Sequence, residues 1–342
     1  MAKPNAKKAS PAASLKQQLM DYGENVLQYL FSLSAKFARS GEVARNNYQL
    51  GLNHLAAGHF TDAIFRFKAV TWIEPGNADA WYNLATSYLA DSQPMKAVQA
   101  YRKTLALKPG SEEAAYMLAV ALGKRAQPQE MPRHMPLSLA LSHFNGLAGS
   151  YDEQQLVQGK YQGHTKLAEA LRPRLVQGRV DHVVLDLGCG TGLCGAQLRA
   201  QAARLVGVDM SPAMLAQAMQ RKDTNNRKIY DELIEREATQ FLKEAPENEY
   251  DIILAGVIFS FIGDLSAIVA QAARTLKPGG LLAFTADMTQ AKDYVFDAAG
   301  GRFRFSRDYL QKLASQHGLT ELCFEEIEAY PGYLMWLAIY KK

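Results

Sequence analysis

The sequence predicts two domains of different class: an all-α helical-repeat domain, then an α/β domain built on a doubly wound, Rossmann-like sheet. Three observations carry this. Chemically matched residues recur 34 positions apart between 44 and 111. From about residue 180, runs rich in Val, Ile and Leu alternate with helical patterns, the mark of a parallel sheet. The first of those runs passes into VVLDLGCGTGLCG (183–195), with glycines at 188, 190 and 192.

Composition narrows the function classes. The 342 residues are 48% hydrophobic and 21% charged, material for two cores. No apolar run reaches the ~18 residues of a membrane-spanning helix. The net charge of +4 comes from Lys3, Lys7, Lys8 and Lys16, because the first 18 residues hold no acid. The remaining 34 basic and 34 acidic residues balance, so no basic face marks a nucleic-acid partner. Residues 1–13 read as a disordered basic tail without the apolar centre of a secretory signal. Cys189, Cys194 and Cys323 are too few and too scattered for a disulfide framework or a metal site. A reducing, cytoplasmic setting is expected.

The first element is a stripe at 14–40: Leu15, Leu19, Tyr22, Val26, Leu30, Leu33 and Phe37, spaced by three and four on one helical face. Such a face packs on neighbouring helices or, behind a basic tail, lies on an anionic membrane surface through residues 1–40. Both readings stay open. The repeat follows, over 44–77 and 78–111. Leu50 matches Leu84, Gly51 matches Ala85, Ala63 matches Ala97, Phe67 matches Tyr101 and Pro75 matches Pro109. Small residues let two helices approach, the aromatics fill the groove, and the prolines stop the second helix. This resembles the tetratricopeptide (TPR) repeat in period and pattern. The resemblance implies a concave groove for a protein or peptide partner. Residues 112–124 read as the capping helix, giving a helical domain over 14–124. Residues 125–136, with three prolines and no apolar period, read as a linker.

The second domain is expected over 137–342. Its strands are predicted at 183–187, 204–208, 230–234, 251–256, 280–286, 319–325 and 333–340. Its helices are predicted at 193–202, 212–221, 239–244, 265–276 and 307–316. Only a turn separates the last two strands, so the final strand should run antiparallel.

The glycine turn belongs where open α/β sheets bind ligands. A dinucleotide fingerprint requires a third glycine where this chain has Leu193. Asp186, just before the turn, would repel a pyrophosphate in a partly dry site. A phosphate-free cationic nucleoside suits it, and S-adenosylmethionine is one, with an ammonium and a sulfonium. Gly188, Cys189 and Gly190 then form the backbone cradle. In LVGVDMSPAMLAQA (205–218), Asp209 ends the second strand and can accept both ribose hydroxyls, Met210 can pack on adenine, and Ser211-Pro212 starts a helix.

VLDLGCGTG, GVDMSPAML, YDIILAGVIFSF and RTLKPGGLLAFTAD resemble, in order and spacing, the class I S-adenosylmethionine-dependent methyltransferases. With the repeats in front, the chain resembles a bacterial group of TPR-containing methyltransferases. FNGLAGSYDEQQLVQGKYQGHTKLAEAL (144–171) looks like that group's helical lead-in. The resemblance implies a seven-stranded sheet with an antiparallel last strand. It implies Glu237 near the adenine amino group, the Ala238 amide at the ring edge, and Gly256 beside the cofactor. Tyr161 and Tyr151 can close over the sulfonium by cation–π contact or pack in the core. The chain departs from the group at Gly256, Phe261 and Phe305, expected on the acceptor side.

Methyl transfer needs alignment more than acid catalysis. A base serves some acceptors, and Asp264, His143 and His164 are candidates, none assigned. The expected function is a methyltransferase whose repeats recruit a protein partner or substrate. The alternative is a repeat adaptor whose methyltransferase fold has little or no activity. An NAD(P)-dependent oxidoreductase is disfavoured by Asp186 and Leu193.

Overall fold

The computed structural model describes residues 40–175 and 180–342. The expected tail and residues 14–39 of the amphipathic stripe lie outside the described residues. The chain divides into two compact units, one ending at Ala114 and one running from Ala115.

The first unit is helical. Residues 40–56 form α1, followed by α2 (Phe60–Ile73), α3 (Ala78–Ala90), α4 (Pro94–Leu107) and the start of α5 (Glu112–Leu122). These pairs fall on the two repeats. The Asn77 side chain caps α3 by accepting from the Ala80 amide at 2.9 Å, and Pro94 opens α4. Phe67 and Tyr101 are fully buried. Each meets an aromatic partner edge-on: Tyr48 with Phe67 at 5.8 Å, Tyr82 with Tyr101 at 5.7 Å. Tyr48 and Tyr82 are themselves 34 apart, so the aromatic pair repeats as a unit.

The second unit holds a seven-stranded sheet of order β3-β2-β1-β4-β5-β9-β8. The strands are β1 (His182–Leu187), β2 (Ala202–Asp209), β3 (Glu232–Glu235), β4 (Tyr250–Ala255), β5 (Leu276–Asp287), β8 (Thr320–Tyr330) and β9 (Tyr333–Lys341). The first five pair in parallel. β9 runs antiparallel to both β5 and β8, as the short turn between the last two strands predicts. Strand alternation separates two apolar layers. Leu185, Leu187, Val206, Val208 and Ile253 face α10 (Ala238–Glu244), α11 (Ser266–Thr275) and α12 (Arg307–Gln316). Val184, Leu205, Ile252 and Leu254 face α7 (Gly163–Leu171), α8 (Leu193–Leu198) and α9 (Pro212–Gln220). Asp186, in step with Val184, belongs to the second face.

Three features differ from expectation. The helix expected to 202 ends as α8 at Leu198, and a tight turn over Arg199–Gln201 leads into β2. A two-stranded hairpin, β6 (Tyr294–Asp297) with β7 (Arg302–Phe305), has no counterpart in the predicted strands. The 125–136 stretch falls within the second unit and docks on it: the Met135 amide donates to Phe261 O at 3.0 Å, and the Gly263 amide to Arg133 O at 2.8 Å. After a single 3-10 turn at Pro128–Glu130, residues 131–136 form no helix, so their backbone can pair with that of 261–263. α6 (Leu137–Leu147) follows it. Among the described residues, no helix is long and apolar enough to cross a membrane.

Phe67 fills the groove of the first repeat without solvent contact. Phe67→Ala should lower the stability of the helical unit by about 3–5 kcal/mol, read as an earlier urea midpoint of the far-UV helical signal.

Candidate functional site

β1 pairs with β2 on one side and β4 on the other, so a crevice opens beyond its carboxyl end. The glycine turn occupies that point. Gly188, Gly190 and Gly192 take φ of 68°, 54° and 91°, a region closed to most side chains. A Cβ on Gly188 would lie 2.8 Å from the Ile258 side chain, whereas Gly190 faces open space. The turn is pinned to β2: the Gly188 and Cys189 amides donate to Val208 O at 2.8 and 3.0 Å. The Gly190 amide donates to Asp209 Oδ2 at 2.9 Å, while Asp209 Oδ1 accepts from the Ser211 amide at 2.8 Å. One carboxylate therefore ties the ends of two strands together. Burial holds its pKa above the ordinary value, against the opposing pull of those amides.

Asp186 is 1% exposed. Its Oδ2 accepts from the Tyr230 hydroxyl at 2.7 Å. Its Oδ1 is buried and, among the described residues, accepts no hydrogen bond. Burial pushes the carboxyl up to about 6, opposed by Tyr230 and the Gly195 backbone and assisted by nearby Asp209. A buried acceptor without a donor is costly, so this oxygen suits a cationic donor from outside the chain. Cys189 and Cys194 are pushed well above the ordinary thiol range, chiefly by burial and then by Asp186. They line the turn as neutral, apolar groups.

The other expected site residues take varied positions. Met210 occupies the bend between Asp209 and Ser211. Glu237 caps α10: Oε1 and Oε2 accept from the Thr239 and Gln240 amides, each at 2.8 Å, and Ala238 is buried behind it. Gly256 ends the run of β4, its carbonyl accepting from the Thr285 amide and hydroxyl, and a Cβ there would lie 2.8 Å from Cys194 Sγ. Tyr161 is 6% exposed and packs on Tyr330 (4.9 Å) and His164 (5.5 Å). Asp264 accepts from the Ser266 amide at 3.0 Å at the start of α11, a helix-start role. His164 and His143 are both held below the ordinary imidazole value, first by burial, then by Arg221 and Arg302 respectively. Phe305 is fully buried at the end of β7 and stacks on Tyr309 at 5.9 Å.

Several site residues carry no local sequence signal. Tyr230 precedes β3. Asp152, from the 144–171 lead-in, accepts from Thr191 Oγ1 at 2.6 Å and pairs with Arg221, whose Nε donates to Thr191 O at 2.7 Å. Asn145 accepts from the Ser211 hydroxyl at 2.7 Å. At the end of β5, Asp287 is fully buried. Its Oδ1 accepts from the Tyr333 hydroxyl at 3.1 Å, and its Oδ2 lies 3.9 Å from Arg302 without a hydrogen bond. Arg302 stands 5.5 Å over the Phe261 ring. The pairing of lead-in and glycine turn could have been sought in the unpaired charges Asp152 and Arg221. The Asp287 cluster had no such signal.

Residues 184–280 match the family model described as a methyltransferase domain, and residues 48–112 match one described as a tetratricopeptide repeat. The malonyl-[acyl-carrier protein] O-methyltransferase of Acetivibrio thermocellus is 27% identical over 202 residues, covering 56% of this chain and 66% of that protein. The ubiquinone biosynthesis O-methyltransferase of Aliivibrio fischeri is 30% identical over 117 residues, covering 34% of this chain and 49% of that protein. The chain thus spans about half to two thirds of the length of these curated relatives. Among solved structures, the 1,6-didemethyltoxoflavin-N1-methyltransferase of Burkholderia thailandensis superposes with a TM-score of 0.47 at 19% identity, over 62% of this chain and 92% of that one.

The Asp186 environment makes a stability prediction. A carboxyl raised by folding from 3.8 to about 6 stabilises the fold below the lower value. That contribution, ~3 kcal/mol, is lost as pH rises through about 6. Asp186→Asn should therefore make the ligand-free protein more stable at pH 7.5 and flatten its stability between pH 4 and 6. Urea titrations across that range measure both effects.

Proposed function

We propose that this chain, whose residues 184–280 match a methyltransferase domain and residues 48–112 a tetratricopeptide repeat, is a class I methyltransferase that binds S-adenosylmethionine and transfers its methyl group to an acceptor oxygen. The observation that carries the cofactor reading is Asp186 Oδ1, a buried oxygen without a donor beside a positive-φ glycine turn. S-adenosylmethionine supplies a methyl carbon on a positively charged sulfur, a leaving group that needs no protein acid. Asp186 meets its cationic end, and the turn at Gly188, Cys189 and Gly190 packs against the nucleoside. Asp209 accepts the ribose hydroxyls with the lone pairs left by Gly190 and Ser211. Met210, the Ala238 amide and Glu237 border the adenine, Glu237 through what its capping role leaves free. Gly256 and Tyr161 close the methyl end.

Both curated relatives compared above are O-methyltransferases, which supports an oxygen acceptor. Asp287 Oδ2, buried and without a hydrogen bond, is suited to take the acceptor's proton as the methyl arrives. The Tyr333 hydroxyl donates to the other oxygen and fixes the carboxylate, and the Arg302 guanidinium lies 3.9 Å from Oδ2. The helical repeats recruit a protein partner or substrate. Phe65 and Trp72, seven residues apart on α2 and 66% and 85% exposed, support that role. A cytoplasmic setting completes the reading.

Two assays test this. Asp209→Ala should weaken S-adenosylhomocysteine binding about 100-fold, the loss of two hydrogen bonds to a charged acceptor, by titration calorimetry. With labelled-methyl S-adenosylmethionine and fractionated lysate, wild type should label an acceptor that Asp209→Ala leaves unlabelled. Cofactor binding without transfer in any fraction would favour the adaptor reading.

A further inference from the structure

We propose that Tyr230 is the positioning residue for the cofactor-binding carboxylate of Asp186: its hydroxyl clamps Asp186 Oδ2, so that Oδ1 stands free and fixed for the ligand's ammonium. The inference rests on the cofactor reading above and adds a residue to it.

The slot that holds Tyr230 is built from glycines placed where glycine is costly. Gly195 sits inside α8, and Gly207 lies within β2. In either interior, glycine costs about 0.5–1 kcal/mol relative to alanine. A Cβ on Gly195 would lie 2.5 Å from the Tyr230 hydroxyl oxygen. One on Gly207 would lie 2.8 Å from its ring, and one on Gly192 3.0 Å from it. Three backbone positions, from the turn, a helix and a strand, open onto one phenol. That phenol is 6% exposed and its hydroxyl meets Asp186. A Cβ on Gly195 would also lie 2.9 Å from Asp186 Oδ2, so this glycine makes room for both members of the clamp.

The clamp has two effects. It removes the carboxylate's rotational freedom about its last bond, so Oδ1 points one way before the ligand arrives. It also stabilises the ionised form that attracts a cation. The groups facing Asp186 are Tyr230 ahead of β3, Cys189 in the turn, Cys194 and the Gly195 backbone on α8, and Asp209 at the end of β2. Arg221, paired with Asp152, lies next to Gly192. The two thiols stay neutral, and Asp209 is already tied by two amides. Tyr230 is therefore the side-chain donor on the carboxylate.

The test is S-adenosylhomocysteine binding by calorimetry from pH 5 to 8.5, using the full chain. This probe keeps the ammonium and lacks the sulfonium. Wild type should bind more weakly as pH falls through the Asp186 titration. Tyr230→Phe keeps the ring in its slot and removes the donor. It should weaken binding about tenfold at pH 7.5 and move the pH midpoint upward by about one unit. Site-specific Tyr230→3-fluorotyrosine, a stronger donor of nearly the same size, should move the midpoint downward. A role in packing alone would leave both midpoints where wild type has them, and that result overturns the assignment. Wild type that binds no S-adenosylhomocysteine at any pH sinks the cofactor reading, and the Tyr230 role with it.

Discussion

The second unit is organised around one buried charge. Asp186 lies at the end of β1 with almost no solvent contact, in the layer otherwise formed by Val184, Leu205, Ile252 and Leu254. A carboxylate there opposes folding, and the surrounding chain is shaped to limit that opposition. Tyr230 donates to one oxygen, and glycines at 195 and 207 make room for it. The adjoining turn is held to β2 by Val208 and Asp209, and within itself by the Gly192 amide donating to Cys189 O at 2.8 Å. Three glycines, which lose the most backbone freedom on folding, and the cost of an unpaired oxygen thus gather at one point. Such concentration marks a site where stability has been given up for ligand affinity. Two neutral thiols beside the acid keep the locality dry without adding charge.

Legibility followed locality. The repeats were readable because Phe67 and Tyr101 do equivalent work one period apart, and periodicity survives without knowledge of the partner helix. The sheet was readable because its inner parallel strands carry apolar runs such as HVVLDL and YDIILA. The antiparallel last strand followed from the short turn at 331–332. The hairpin β6–β7 was not readable. Its strands are four residues each, and YVFD and RFRF mix charge with aromatics. Phe296, Phe303 and Phe305 are buried there, but only because other segments cover them. The 125–136 stretch reads as a linker because its prolines break every helical period. Proline does not prevent an extended strap from donating backbone hydrogen bonds, and Met135 does so.

The same distinction separates the two sides of the candidate site. The cofactor side is made of strand-end turns, where the residue types are dictated by backbone conformation and stand close together in sequence. Asp186 and the glycines lie within seven residues of one another, and Asp209 follows one strand later. A reader of the sequence therefore meets them as a motif. The proposed acceptor side draws on Phe261 after β4, Asp287 at the end of β5, Arg302 in the hairpin and Tyr330 and Tyr333 at the β8–β9 turn, which lie in contact with one another. Each of these has an ordinary structural role in its own segment. They come together only when the sheet brings four segments to one end. Asp287 shows this most clearly: RTLKPGGLLAFTAD ends in an acid that reads as a strand terminus. The fold buries it completely, gives it one tyrosine, and sets an arginine just beyond hydrogen-bonding reach. A buried acid with an oxygen left over is the same device found at Asp186, built on the same face of the sheet. There the sequence carries the surrounding glycines as a sign; at Asp287 the fold alone supplies the neighbours.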